Sequence, residues 1–102
     1  MVVIELRGSV IDGRWEDLVS FLRSAIPVYQ APGGITVRLL RDVDDPNAFV
    51  ETVEYDSQEG YELDQQRVAN DPEMISLLEQ WHDLLAEPIR VQTLREVGLG
   101  SR

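Results

Sequence analysis

Apolar and polar residues alternate in several short stretches of the chain, and this two-residue period predicts β-strands. In the first stretch, Val2, Ile4 and Leu6 lie on one side and more polar residues lie on the other. The predicted strands are Val2–Arg7, Ile35–Arg41, Phe49–Tyr55 and Ile89–Val97. A polar hairpin loop, Asp42–Ala48, separates the second strand from the third.

A spacing of three to four residues between apolar side chains predicts a helix between the first two strands. Asp12 is its candidate N-cap. Pro27 is expected to end it, because proline lacks an N–H and crowds the preceding turn. The apolar side of this helix consists of Trp15, Leu18, Val19, Leu22 and Ile26. The region that follows, 27–34, is rich in proline and glycine and predicts a loop.

A second helical region follows the third strand and falls into two pieces. Asp56 and Glu59 have the spacing of a capping box at the start of the first piece. Asp71 and Pro72 are typical of the N-cap and the first residue of a new helix, so they predict the start of the second piece. The strongest amphipathic stripe of the chain lies there and consists of Met74, Leu77, Leu78, Trp81, Leu84 and Leu85.

The order of these elements, β-α-β-β-α-β, predicts a ferredoxin-like α+β fold. The chain has 102 residues, which is close to the commonest size of one domain. A single domain is therefore expected over 1–97, and 98–102 are expected to form a flexible tail.

Composition narrows the classes of partner. The formal net charge is −10, and such a surface disfavours binding to nucleic acid or to an anionic membrane. The chain has no cysteine, which excludes disulfides and thiolate metal ligands. Its first residues, MVVIELRG, do not have the pattern of a signal peptide, and no apolar run is long enough to cross a membrane. A cytoplasmic location is expected.

One segment carries a likeness to a known group of proteins. The run V-E-x-x-E-Y-x-S-x-E-x-Y-E-x-D-Q-x-R-V-A-N-D-P-E, Val50 to Glu73, precedes an amphipathic helix that reaches Trp81. In this respect the chain resembles the antibiotic-biosynthesis-monooxygenase-like superfamily of dimeric α/β barrels. The resemblance implies a four-stranded antiparallel sheet with both helices on one face. It also implies a homodimer in which two sheets face each other.

The strand faces opposite the apolar ones bear on the expected dimer. They mix acidic and basic residues on adjacent strands, as a charge-complementary interface does. These residues are Glu5, Arg7, Arg38, Thr52, Glu54, Arg90, Gln92 and Glu96. A sheet face open to water is the alternative, which antiparallel sheets permit.

His82 is the single histidine and therefore the candidate catalytic residue, since its ordinary pKa suits proton transfer near neutrality. It would act as a base or hydrogen-bond donor in a pocket between helix and sheet. The alternative is a histidine at the solvent margin of the core.

Haem-degrading members of the superfamily imply a different site, with an Asn on the first strand, a Trp, and a His ligand on the last helix. The first strand of this chain has no Asn, and Trp81 and His82 are adjacent, so they point about 100° apart around a helix. The sequence therefore argues against haem, and no cofactor is expected.

Cofactor-free oxygenases of the superfamily hold a polycyclic phenol in a pocket, where the deprotonated substrate itself reduces oxygen. The candidate substrate-binding residues are Trp81, Tyr61, Trp15 and Arg38. Each has a structural alternative: the aromatic side chains as core packing, and Arg38 as an ion-pair partner of Glu5 or Glu54. No metal site is predicted, because the acidic cluster of the hairpin loop lacks the spacing of a calcium loop.

Two classes of function remain open. The first is a small cofactor-independent monooxygenase, or a related isomerase, that acts on an apolar or aromatic molecule. The second is a non-enzymatic dimeric module that binds a ligand or only assembles. A mostly apolar pocket faced by His82 would favour the enzyme. The same volume filled by Trp15, Leu22, Trp81 and Leu85 would favour the module.

Overall fold

Four antiparallel strands and three helices form the computed structural model, which describes residues 1–100. The elements are β1 (Val2–Ser9), α1 (Trp15–Tyr29), β2 (Ile35–Arg41), β3 (Ala48–Tyr55), α2 (Gln58–Asn70), α3 (Pro72–His82) and β4 (Arg90–Arg95). The strand order is β2-β3-β1-β4, so the predicted ferredoxin-like α+β fold is confirmed. The predicted tail at 98–102 extends past the described part of the chain, because 101 and 102 lie outside it.

The register of the strands decides which side chains face the helices. Ile4 on β1 lies opposite Val53 on β3, and Leu6 lies opposite Glu51. Because alternate residues of a strand share a face, Glu51 belongs to the same side of the sheet as these apolar residues. Across the other neighbour of β3, Leu39 on β2 also pairs with Glu51. This helix-side surface is called the inner face below, and the opposite surface the outer face.

The core lies between the inner face and the helices. Its buried apolar residues are Val2, Val10, Leu18, Leu22, Ala25, Tyr29, Ile35, Val37, Phe49, Tyr55, Met74, Trp81 and Leu84. The amphipathic stripe of α3 points into this core at Met74 and Trp81, as its spacing predicts. Trp81 packs edge-on against Phe49, with 6.5 Å between the ring centroids.

Both predicted ends of α1 are wrong. Arg14 occupies the N-cap position, and it makes no side-chain capping bond. Asp12 instead accepts a hydrogen bond from the Asn47 side chain at 3.1 Å. At the other end, Pro27 lies inside the helix, which continues to Tyr29. A tertiary contact to the last carbonyls of α1 accounts for the extra turn.

That contact is made by Arg67 on α2. Its guanidinium donates to the carbonyl oxygens of Val28 at 2.9 Å and Tyr29 at 2.7 Å. The last carbonyls of a helix have no partner within the helix, so these bonds stabilise a turn that Pro27 alone would weaken. Arg67 also pairs with Asp64 at 2.9 Å, and Asp64 accepts a hydrogen bond from the Tyr55 hydroxyl. This group, called the Arg67 clamp below, joins α1, α2 and β3.

The start of α2 differs by one residue from the prediction. Ser57 is the N-cap and accepts a hydrogen bond from the Gly60 N–H at 3.0 Å, so the predicted box of Asp56 and Glu59 is not formed. Asp56 follows the end of β3, and its N–H donates to the Gly34 carbonyl at 2.9 Å. The predicted start of α3 is confirmed, because Asp71 accepts from the Glu73 N–H at 2.9 Å and Pro72 follows as the first helical residue.

Hydrogen bonds from backbone N–H groups to the Asp42 side chain hold the acidic hairpin loop together. One carboxylate oxygen of Asp42 accepts from the N–H groups of Asp44 at 2.7 Å and Asp45 at 3.0 Å. Such bonds are typical of Asx turns. Over residues 1–100, no helix combines the length and apolar composition that crossing a membrane requires.

Candidate functional site

A cavity of about 270 Å³ separates part of the inner sheet face from the helices. Its wall is mostly apolar and includes Ile4, Leu6, Val37, Val53, Met74 and Leu78. Large side chains therefore do not fill this part of the core. An apolar cavity with a few convergent polar groups is the usual form of a small-molecule site.

Glu51 is the most unusual residue of the cavity wall. Its side chain is only 4 % exposed, and no residue within 1–100 forms a hydrogen bond with its Oε1 atom. It lies between two apolar neighbours, Leu6 on β1 and Leu39 on β2. Because burial penalises the charged carboxylate, the pKa of Glu51 rises to about 7. Near neutral pH this carboxyl group is therefore able both to accept and to donate a proton.

Trp81 supplies a second unusual polar atom. Its indole Nε1 is buried and makes no hydrogen bond with any residue of the described chain. Buried indole N–H groups normally have a partner. The cavity wall thus contains one acceptor, Glu51 Oε1, and one donor, Trp81 Nε1, that have no hydrogen-bond partner among residues 1–100.

Other polar residues on the wall have defined surroundings. Asp64 and Tyr55 are joined to each other and to the Arg67 clamp. Tyr29 lies on the wall as well. Burial raises the pKa of its phenol above the ordinary value, and the negative charge of Glu51 raises it further. Tyr29 and Glu51 thus line the same wall and interact electrostatically.

The cavity opens towards the edge strand β4. Val91 belongs to the inner face of β4 and lines the cavity, yet it is 60 % exposed. His82 and Ile89 line both the cavity and a surface depression formed by the connection from α3 to β4. His82 is exposed, and its ring centroid lies 5.3 Å from that of Trp81. It therefore stands at the rim, while Glu51 stands at the base.

The structure brings together only some of the residues singled out from the sequence. Trp81 and His82 line the cavity. Tyr61 packs edge-on against Tyr55 at 5.4 Å, Trp15 lies under the Arg41 guanidinium at 4.2 Å, and neither is part of the cavity wall. Arg38 lies on the outer face and pairs with Glu54 at 3.0 Å, which is its predicted structural alternative.

Sequence reasoning missed Glu51, although a signal was present. Phe49, Glu51, Val53 and Tyr55 are two residues apart along a predicted strand, so they share a face. An acid at the second place of an otherwise apolar row predicts a buried carboxyl group. The adjacent polar row of the same strand, with Thr52 and Glu54, is where charged residues are expected, so Glu51 does not stand out in the sequence.

Comparison with known proteins supports the fold. No protein-family model and no curated protein sequence matches the chain. Solved structures do match it. A protein from Nitrosomonas europaea, provisionally named an antibiotic biosynthesis monooxygenase, is 18% identical, with 96% of this chain and 100% of that chain covered and a TM-score of 0.76. A conserved protein from Methanosarcina mazei is 10% identical, with 94% and 92% covered and a TM-score of 0.78.

A third match extends the same likeness. The protein Rv0793 from Mycobacterium tuberculosis is 23% identical, covers 98% of each chain and has a TM-score of 0.74. Several matching structures carry the name of antibiotic biosynthesis monooxygenases, which is the resemblance predicted from the segment Val50–Glu73. At these identities the likeness shows a shared fold.

Proposed function

We propose that the chain binds a small, flat, largely apolar molecule in the cavity and oxygenates it without a cofactor. One observation carries this proposal: an apolar cavity whose wall holds two polar atoms, Glu51 Oε1 and Trp81 Nε1, without partners in the described chain. Leaving such groups unpaired in the interior has a cost, which a ligand with complementary groups would remove. The names of the structural neighbours add support for oxygenation.

The proposed substrate is a phenol with two or more fused rings. In the reaction the phenol and O₂ give a quinone and water. One atom of O₂ becomes the new carbonyl oxygen, and the other leaves as water with the two hydrogens that the phenol loses. All four electrons that O₂ accepts come from the substrate, so the chemistry requires no redox cofactor. The protein's part is to bind, orient and deprotonate the phenol.

The residues of the cavity have distinct proposed roles. Trp81 forms part of the wall and offers its indole N–H to an oxygen of the substrate. His82, at the rim, acts as a base or hydrogen-bond donor. Tyr61, Trp15 and Arg38 have no place in the proposed pocket, because they lie outside the cavity wall.

Binding and turnover are tested separately. Oxygen uptake and quinone absorbance would be followed with naphthalenediols and anthracenols, in buffer treated with a chelator. Leu78→Phe narrows the cavity and is expected to reduce affinity about tenfold, which is about 1.4 kcal/mol. Leu77→Phe is the matched control, since Leu77 is half-buried on the same helix and does not line the cavity. Equal affinities of the two variants would contradict the site.

His82 is tested in the same assay. If His82 is essential, His82→Ala abolishes turnover, and an unchanged rate removes it from the mechanism. If the naphthalenediols and anthracenols bind but none of them causes oxygen uptake, the non-enzymatic ligand-binding module is favoured instead.

A second copy of the chain is the proposed cover of the outer face. Within residues 1–100 no helix lies against this face, which presents Leu40, 54 % exposed, beside the Arg38–Glu54 pair. Pairing of two such faces would bury apolar side chains and allow charged groups to meet across a two-fold axis.

A further inference from the structure

We infer that Glu51 is the group that takes the proton from a weakly acidic hydroxyl of the ligand, while the Trp81 indole N–H donates to the oxygen that is left. The inference rests on the proposed pocket and does not require that oxygenation follows. It assigns the ligand to a chemical class, namely phenols and enols with an apolar body.

Residues 1–100 contain two buried acids, Glu51 and Asp64, and a comparison of their surroundings shows why Glu51 is the candidate. Asp64 is 6 % exposed, and both of its oxygens are used, one by Arg67 and one by the Tyr55 hydroxyl. That arrangement is structural, because it joins helices to the sheet. Glu51 is equally buried, but its Oε1 has no partner in residues 1–100, and it connects no elements. A carboxyl group kept in an apolar wall without a structural role is typical of a functional site.

The position of Glu51 in the sheet also fits the role. β3 is an interior strand, held by β1 on one side and β2 on the other. A side chain on such a strand is fixed more firmly than one at the exposed end of α3, where His82 lies. A ligand that enters from the β4 side would pass His82 and Ile89 before its far end reaches Glu51.

The surroundings of Glu51 contain few charges. The titratable groups on the cavity wall are Tyr29 on α1, Asp64 on α2, His82 on α3 and Tyr55 on β3. The strands β1, β2 and β4 contribute apolar side chains there. Asp64 is compensated by Arg67, and both phenols stay neutral because burial raises the pKa of Tyr29 and of Tyr55. Burial also sets the pKa of Glu51 at about 7, a value suited to a base at neutral pH.

The step itself moves one proton. The O–H bond of the ligand breaks, the proton joins Glu51 Oε1, and the electron pair remains on the ligand oxygen. The negative charge then lies on the ligand, where the Trp81 N–H stabilises it. No electron transfer is part of this step, and no water is needed as the acceptor.

The test compares two ligands that differ in one hydrogen-bond donor. 2-Naphthol has the acidic hydroxyl, and 2-methoxynaphthalene lacks it. Calorimetric titration at pH 8, where Glu51 is mainly ionised in the empty site, is expected to show that the wild type prefers 2-naphthol by about tenfold or more, as charge-assisted hydrogen bonds do. Glu51→Leu is expected to remove this preference and to bind 2-methoxynaphthalene as the wild type does.

Variants then test whether the preference for 2-naphthol, and its dependence on pH, come from Glu51. Glu51→Gln keeps the size of the side chain and should retain a weaker preference that no longer changes between pH 6 and pH 8. The wild-type preference should grow over the same range. Glu79→Gln is the control, because Glu79 is an exposed carboxyl group on α3 outside the cavity wall, and this variant is expected to keep the wild-type pH dependence. Circular dichroism of each variant verifies folding, and removal of a buried charge is not expected to prevent it.

The outcomes are distinct. If both ligands bind the wild type equally, or if Glu51→Leu keeps the preference, the role of Glu51 is overturned while the pocket stands. If neither ligand binds, the pocket and the inference both fail. If the preference appears and depends on Glu51 but no oxygen is consumed, the inference holds and the oxygenase proposal fails.

Discussion

At the scale of single residues, Glu51 is a buried group whose protonation differs between the folded and the unfolded protein. A carboxyl group that is 4 % exposed and lacks a hydrogen-bond partner for Oε1 in residues 1–100 favours its neutral form. In the unfolded chain water solvates the same group, and its pKa returns to the ordinary value. The two states therefore bind different numbers of protons, which links folding stability to pH.

We expect Glu51 to lower stability as pH rises. Its folded pKa of about 7 is above the ordinary 4.5, so between these values the native state keeps a proton that the unfolded state has lost. Stability from this group is complete below about pH 4.5, falls as pH rises to 7, and is constant above. The total loss is about 3 kcal/mol.

Urea unfolding at pH 5 and pH 8.5 measures this effect. The wild type should lose between about 2 and 3 kcal/mol more than Glu51→Gln between the two values, since glutamine does not titrate and part of the total is already lost at pH 5. The variant also provides the baseline for all other groups. Parallel changes in the two proteins would show that Glu51 is solvated in the folded state.

The side of a helix or strand on which a residue lies was predictable from the periodicity of the sequence. The burial of Trp81 and Met74 followed from the spacing of apolar residues, and the Arg38–Glu54 pair followed from their shared strand face. The absence of a partner for Trp81 Nε1 within residues 1–100 was not predictable, because it depends on which groups from other elements come within hydrogen-bonding distance of the indole. The cavity was not predictable for the same reason, because it is a gap whose size depends on how elements far apart in the sequence pack together.

At the scale of elements, the Arg67 clamp is the contact that fixes the first two helices. One guanidinium satisfies two carbonyls at the end of α1 and one carboxylate of its own helix. It also brings α2 to a defined position over β3, through the bond between Asp64 and Tyr55. The part of the cavity wall at Tyr29, Tyr55 and Asp64 is built by this arrangement.

We expect Arg67→Ala to destabilise the protein by about 3 kcal/mol. The change leaves a buried carboxylate without its cation and removes the Arg67 donors from the carbonyls of Val28 and Tyr29, of which Val28 keeps the Ala31 N–H. Breaking such a buried pair typically costs this much. Arg14→Ala is the matched control, because Arg14 pairs with Asp17 at the surface and exposed pairs contribute little. Chemical unfolding of both variants at pH 7 gives the comparison. Similar small losses would mean that Arg67 is dispensable.

The order and type of the elements were predictable, and their ends less so. Alternation and helical spacing gave four strands and the break at Asp71–Pro72 correctly. Pro27 was expected to end α1, because local rules treat a proline as a stop. The helix continues past it since Arg67, which is 39 residues away from Val28, bonds its last carbonyls. Long-range contacts of this kind are absent from a local pattern.

At the scale of the whole molecule, the two faces of the sheet are unequal. The inner face packs against helices and borders the cavity, whereas the outer face has no helix on it in residues 1–100. Thr52 lies at the centre of the outer face, opposite Glu5 on β1 and Arg38 on β2. The ferredoxin-like topology was predictable from element order, but the oligomeric state remains a prediction.

We expect a dimer in solution, with a mass twice the 11.6 kDa of one chain. Thr52→Arg puts a long charged side chain at the centre of the outer face and should give a monomer, because like charges would meet near the two-fold axis. Ser76→Arg, on the exposed side of α3, is the matched control and should stay dimeric. Light scattering after size-exclusion chromatography measures both. A monomeric wild type would refute the proposed pairing.

In the Arg67 clamp, the bonds from Arg67 to α1 go to main-chain oxygens, so they do not depend on the side chains of α1. Tyr29 contributes its carbonyl to the clamp and its phenol ring to the cavity wall. Exchange of the side chain at this position therefore leaves the anchoring atom in place. Tyr29→Phe should therefore change the polarity of the wall, and with it the ligand preference, at little cost in melting temperature, whereas small side chains at this core position would leave a cavity and lower it.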